Sequence, residues 1–239
     1  MELYDAIIKD VVGALAPFTP KVFPADGEKW KSSDRNEIIF QHDTAYELGG
    51  SKNPSASFTV VTSAQGLFEP DCVKLYGKDL QEIKSDTPYA KIVLIQADDF
   101  SDDAMKCYNA IKDIEFVAYD VFLKGVMTRI SALDRKEQVR ISKTALKEGI
   151  TFGKIAASYI EAYRKNPHVK AVSVIFVTED LGIFPMLSAN AKKVDDITIT
   201  LNKVLSGMNF DCATCNLKAI CDEVEGLREL HFNCLLYTS

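Results

Sequence analysis

The sequence predicts an α/β fold, a layered mixed sheet with flanking helices, followed by a short cysteine-rich tail suited to a metal or cluster. Three observations carry this. Residues 169–178 form a β-branched, apolar run bounded by polar residues, the pattern of a buried strand. Strand-like and helix-like segments alternate through the second half of the chain, as in a layered α/β domain. Cys212, Cys215 and Cys221 then fall within ten residues as C-x2-C-x5-C. The two-residue gap lets both sulfurs turn toward one centre, and soft thiolates favour zinc or iron–sulfur over hard cations. Reduced thiols without a metal are the alternative.

Each element follows from local pattern. Leu3, Ile7, Ile8, Val11, Val12 and Leu15 recur at helical spacing, so residues 1–16 read as an amphipathic helix docked on the core. Pro17, Pro20 and Pro24 stop it and impose an extended connector. Residues 37–41 and 44–48 read as short strands flanking His42, a surface histidine, and Gly49-Gly50 as a tight turn. Strands follow at 57–62 and at 72–76, the latter closed by Gly77-Lys78-Asp79, and a buried strand at 91–97. Ser101-Asp102-Asp103 is a helix start. Residues 116–122 suit a strand by composition, yet Phe116, Tyr119, Leu123, Val126, Met127 and Ile130 fit one helical stripe. Residues 138–143 read as a strand with Val139 and Ile141 inward and Arg140 and Ser142 on the other face. Phe152, Ile155, Ala156, Tyr159, Ile160 and Tyr163 mark a helix that ends at Asn166-Pro167. Asp195 or Asp196 is expected to cap a last helix carrying Ile197, Leu201, Val204 and Leu205, with Gly207 just beyond its end.

Composition narrows the function classes. The 239 residues are 47% apolar and 26% charged, enough for one large domain or two small ones with a full core. A net charge of −6 leaves no basic footprint for nucleic acid or an anionic membrane. No apolar run reaches the length of a membrane span. The acidic start, Met1-Glu2-Leu3-Tyr4-Asp5, is unlike a secretory signal, and the clustered cysteines suit a reducing compartment, so a cytoplasmic protein is expected. Gly-rich phosphate loops, H-E-x-x-H and serine nucleophile elbows are absent from the sequence. Cys72 and Cys107 stand apart and read as core thiols. Glu179-Asp180 lies at the carboxyl end of the best strand, where α/β sheets place sites, and reads as helix-starting acids.

Several stretches together resemble the acetyl-CoA synthase (acetyl-CoA decarbonylase/synthase β) subunit of the carbon monoxide dehydrogenase complex. Glu47-Leu48-Gly49-Gly50-Ser51-Lys52 is similar to the family's E-L-G-G-P-K, and Gly77-Lys78-Asp79-Leu80 to its G-P-D-L. Val139-Arg140-Ile141-Ser142-Lys143 resembles R-V-S-K with a preceding apolar residue, and Phe152-Gly153 its F-G. Val174-Ile175-Phe176-Val177-Thr178 resembles V-T-F-Y-T, and the cysteine run comes last. The likeness covers the family's middle domain and the beginning of its cluster domain. It divides the chain into a helix and connector (1–35), an α/β domain (36–207), a cysteine-rich metal or cluster segment (208–233) and a tail (234–239).

The resemblance implies an iron–sulfur cluster, 4Fe-4S in type, on Cys212, Cys215 and Cys221. The family's fourth cysteine falls in register with His231, where histidine ligation would raise the reduction potential by analogy with Rieske centres; a neutral surface histidine is the alternative reading. Arg140, Ser142 and Lys143 are the candidate contacts to CoA, since Arg and Lys suit phosphate, with a merely solvated strand end as the alternative; Arg129, Arg135 and Lys136 would extend that patch. Carbon monoxide dehydrogenase or a corrinoid iron–sulfur protein are the implied partners. In the family a Cys-Gly-Cys chelates nickel in a square-planar field. None occurs in this sequence, so nickel is not expected in this chain, and it should not make acetyl-CoA alone. Cys234-Leu235-Leu236-Tyr237-Thr238-Ser239 matches the translation of TGT CTC TTA TAC ACA TCT, a transposase sequencing adapter; on that reading Cys234 is foreign and no ligand, and a genuine apolar tail is the alternative. If the native frame continues into a nickel site, the chain belongs to a CO-methylating acetyltransferase. Otherwise a standalone iron–sulfur electron-transfer or binding paralogue is expected. A zinc-stabilised interaction domain, closed by the same thiolates and His231, is the alternative from another class.

Overall fold

The β-branched run becomes β8 (Val169–Val177), the middle strand of a five-stranded sheet in the computed structural model, which describes residues 2–50, 52–100, 104–131, 136–205, 215, 218–224 and 227. With β1 (Lys21–Pro24), β3 (Ser55–Thr62), β4 (Cys72–Tyr76) and β5 (Tyr89–Ala97) it forms the order β1-β4-β8-β5-β3. The sheet is mixed: β4–β8 and β3–β5 pair in parallel, while β1–β4 and β5–β8 are antiparallel. A second, three-stranded antiparallel sheet has the order β2-β7-β6, from β2 (Thr44–Leu48), β6 (Val126–Ile130) and β7 (Glu137–Ser142).

Helices cover both faces of the larger sheet. Side chains alternate along a strand, so Thr59 and Thr62 of β3 face opposite ways. Thr59 Oγ1 lies 3.0 Å from the Tyr163 hydroxyl of α4 (Phe152–Arg164), whereas Thr62 Oγ1 donates to Asp5 Oδ1 of α1 (Asp5–Leu15) at 2.7 Å. Every residue of β3 is buried as a result, and its polar positions carry only Ser and Thr. α1 buries Ile7, Ile8, Val11 and Leu15, as its spacing predicts. α2 (Ala104–Asp120) and α5 (Phe184–Leu205) pack on one another, and α5 also packs against β3. Thr151 caps α4 by accepting from Lys154 N at 3.2 Å.

Four expectations change. The proline-rich connector is extended, but residues 21–24 also pair with β4 as an edge strand, where a proline's missing N–H costs no ladder bond. Residues 37–40 form no ladder: Ile38 and Phe40 are exposed, Ile39 N donates to Met127 Sδ, and a 3-10 turn, Gln41–Asp43, follows. The helical stripe from Phe116 to Ile130 is broken, because α2 ends at Asp120 and Val126–Ile130 is β6. Gly125 stands between them at φ +72°, outside the right-handed helical region, and a Cβ there would lie 2.6 Å from Ala145 Cβ, so the turn requires glycine. Asp195 and Asp196 do not begin a helix; they sit inside the 22-residue α5. Lys192 pairs with Asp196 one turn on (2.5 Å), and Pro185 occupies the first turn, where its missing N–H is harmless. Ser101-Asp102-Asp103 and Gly207 lie outside the described residues.

Candidate functional site

Four of the stretches that carry the family resemblance, at 47–50, 77–80, 152–153 and 174–178, are far apart in sequence and meet beyond the carboxyl ends of the parallel strands β4 and β8. A chain of hydrogen bonds joins them. Gly49 N donates to Thr87 O (2.8 Å), Thr87 Oγ1 to Thr178 O (2.9 Å), and Thr178 Oγ1 to Lys78 O (2.8 Å). Asp79 Oδ1 accepts from Leu80 N (2.7 Å) and from Phe152 N at the start of α4 (2.9 Å). Tyr46 donates its hydroxyl to Leu80 O at 2.6 Å; burial, then the neighbouring Asp79, pushes its pKa well up and keeps it a donor. Of the two acids after β8, Asp180 shapes the turn into α5, its Oδ1 accepting from Gly182 N at 3.0 Å.

The three residues expected to contact CoA line the strip from β7 into α3 (Lys143–Lys147). Arg140 forms an ion pair through Nε with Glu47 Oε1 of β2, and its Nη1 donates to Ile39 O at 3.1 Å. Ser142 caps α3, its hydroxyl accepting from Ala145 N at 3.0 Å. Lys143 Nζ donates to His42 O at 2.8 Å. Arg140 and Lys143 therefore clamp the turn at 39–42 against the small sheet. Lys143 is exposed and keeps donors to spare, since an ammonium carries three. Arg129 is exposed on β6, and Arg135 lies outside the described residues.

Of the expected cluster ligands, Cys215 and Cys221 are described, and Cys212 and His231 lie outside the described residues, as does Cys234. Lys218 N donates to Cys215 O at 3.2 Å, which places Cys215 just ahead of α6 (Lys218–Glu223) and Cys221 within it. Both are of intermediate exposure, and Cys221 packs against the core. Lys193 of α5 ties α6 down through Glu223 at 2.5 Å. Among the described residues no three His, Cys, Asp or Glu side chains converge as a metal site. The two described donors are soft sulfurs, which fits a zinc or iron–sulfur ligand set. Cys72 and Cys107 are buried in the core, and burial pushes the Cys72 thiol up. No helix among the described residues is long and apolar enough to cross a membrane.

Sequence reasoning missed one polar group altogether. Lys91, inside the apolar run of β5, is buried with Glu137 of β7: Nζ lies 2.8 Å from Oε1 and 3.1 Å from the Tyr159 hydroxyl of α4. A lysine inside a continuous apolar run is itself a signal, because a buried ammonium requires an acid. Nothing in the run names the partner.

None of the curated proteins matches the chain. A family model for CdhC, the CO dehydrogenase/acetyl-CoA synthase complex beta subunit, matches residues 32–183, which is more than half of the 239 and includes every joined stretch described above. The chain belongs to the CO dehydrogenase/acetyl-CoA synthase complex beta subunit family.

Proposed function

We propose that this chain works in CO and acetyl-CoA metabolism as a beta-subunit-related protein that carries an iron–sulfur cluster. Cys212, Cys215 and Cys221 would hold the cluster, with His231 as the fourth ligand. The single observation that carries this reading is the membership of residues 32–183 in the family, with a C-x2-C-x5-C run downstream. Placement of Cys215 just ahead of α6 and of Cys221 within it, with α6 packed on α5, supports it, since a cluster needs ligands fixed to a rigid body. When bound, such a cluster supplies one-electron redox capacity. The protein's part is to hold the thiolates, and to offer Lys143 as a point charge for the phosphates of CoA, with Ser142 and Arg140 beside it. Arg140 would have to share its guanidinium with Glu47. The family supports partners within the CO dehydrogenase/acetyl-CoA synthase complex. The sequence holds no Cys-Gly-Cys, so no nickel chemistry is assigned to these residues.

Anaerobic purification followed by iron, sulfide, zinc and nickel analysis tests the reading. Iron with matching labile sulfide is expected, reduced in Cys215→Ser. Zinc without sulfide would replace the cluster by a structural zinc site, and protein free of all transition metals would overturn both.

A further inference from the structure

Between the small sheet, β5, α4 and the end of α2 lies a cavity of about 260 Å³. Its inner wall is Leu48, Tyr89, Glu137, Phe152 and Tyr159, all buried. Its rim includes Asn36 and Tyr119, both exposed. The rim is built: Asn36 Nδ2 donates to Thr128 O (2.7 Å), and Thr128 N donates to Asn36 Oδ1 (3.0 Å).

One polar group inside is incompletely used. Glu137 and Val139 lie on one face of β7 by strand alternation, and both line the cavity, so that face of β7 forms its wall. Tyr89 and Lys91 likewise share a face of β5, and Tyr89 lines the cavity. Glu137 Oε1 is taken by Lys91, while Oε2 is buried and has no hydrogen-bond partner among the described residues. A buried acceptor of this kind calls for a donor. The charge is already balanced, because Lys91 neutralises Glu137. An added anion would meet the carboxylate, and an added cation would leave a surplus charge beside the ammonium. The walls are aromatic, with Tyr89 and Phe152 stacked at 6.3 Å.

We propose that this cavity binds a small uncharged molecule with a flat, apolar body and one N–H or O–H group, the donor meeting Glu137 Oε2. The space exceeds what one or two waters fill, each taking about 30 Å³. The site is independent of the cluster and of the strip around Lys143.

Indole is the probe, since it offers one N–H donor and no competing acceptor. Titrations of the full chain are followed by calorimetry and by NMR of aromatic protons, with 1-methylindole as the same ring lacking the donor. Indole is expected to saturate, and 1-methylindole to bind about ten- to a hundredfold more weakly, the usual range for a hydrogen bond to a charged group. Tryptamine, which adds a cation, is expected to bind more weakly than indole. Ala118→Trp fills the cavity from a half-buried position on α2, and should abolish indole binding while keeping the parent's thermal transition. Equal affinity for indole and 1-methylindole overturns the role of Glu137. Tighter binding of tryptamine overturns the uncharged class. Unchanged indole affinity in Ala118→Trp, or no saturation up to the solubility of indole, removes the site.

Discussion

Removing either member of the Lys91–Glu137 pair should cost far more than removing both. The two side chains are 3% and 1% exposed, with Nζ 2.8 Å from Oε1. Lys91→Met leaves a carboxylate without its counter-charge between two sheets, and Glu137→Leu leaves an ammonium there. Each should lose about 3–5 kcal/mol, the usual consequence of breaking a buried pair. For a chain of this size that is roughly 6–20 °C in Tm. The double variant removes both charges and should fall within about 1–2 kcal/mol of the parent, whereas independent effects would sum to about 6–10 kcal/mol. Urea unfolding of the four proteins, with slopes compared, measures the cycle. Single variants within about 1 kcal/mol of the parent, or a double variant at the sum, would refute the buried pair. The pH dependence has a defined sign. Burial opposes the charge on Lys91, but Glu137, then Tyr159 and Tyr89, outweigh it and hold the ammonium well above the ordinary lysine range. A raised folded pKa means the contribution is complete below the unfolded value and is lost only as pH climbs through the folded one. The parent's stability should therefore show no loss from this group between neutrality and the lysine range, and should decline beyond it.

Three further outcomes follow from other contacts. Gly49→Ala should lose about 2–5 kcal/mol in urea unfolding, because Gly49 has φ +64° and a Cβ there would lie 2.6 Å from Glu137 O. Arg140→Ala should lose about 1–2 kcal/mol, a figure discounted because both it and Glu47 are a quarter exposed; Glu47→Gln should lose part of this, and the difference should shrink in high salt. In CoA titrations Lys143→Ala should weaken binding about three- to tenfold with an unchanged Tm, as expected for one exposed phosphate contact, and a parent without affinity for CoA would end that assignment.

Much of the frame was legible because burial on one side or both leaves a periodic trace. α4 is legible from Phe152 to Tyr163 at helical spacing, and β5 and β8 from β-rich apolar runs. The errors lie where tertiary partners decide. Asp195 and Asp196 look like a cap, yet their helix began about three turns earlier on buried residues such as Leu187 and Ala191. Phe116 and Tyr119 are exposed, so the stripe that included them joined two elements across Gly125. The residues expected to contact CoA lie together on one strip, but Arg140 and Lys143 hold the turn at 39–42 and Ser142 caps α3, and the first of these roles no local pattern could indicate. Cys215 and Cys221 were legible as a pair from spacing alone, and their shared anchorage on α5 was not.

Glu137 connects these observations, because three hydrogen bonds through it, two to Ser55 and one to Lys91, join the two sheets. Ser55 of β3 donates its hydroxyl to Glu137 O (2.5 Å) and accepts from Glu137 N (3.0 Å), so the backbone of β7 is tied to the edge of the larger sheet. The carboxylate reaches Lys91 on β5. The backbone of Gly49, at the end of β2, passes so close to Glu137 O that no side chain fits. A one-residue slip of β7 would turn Glu137 to the opposite face. Lys91 would then be buried without a counter-charge, and Ser55 would lose both bonds at once. An apolar seam would tolerate such a slip at the cost of some packing, but a charged one does not. The family's E-L-G-G stretch ends on this seam and its R-V-S-K stretch continues from it, so the junction that sets the register also sets where Arg140, Ser142 and Lys143 are presented.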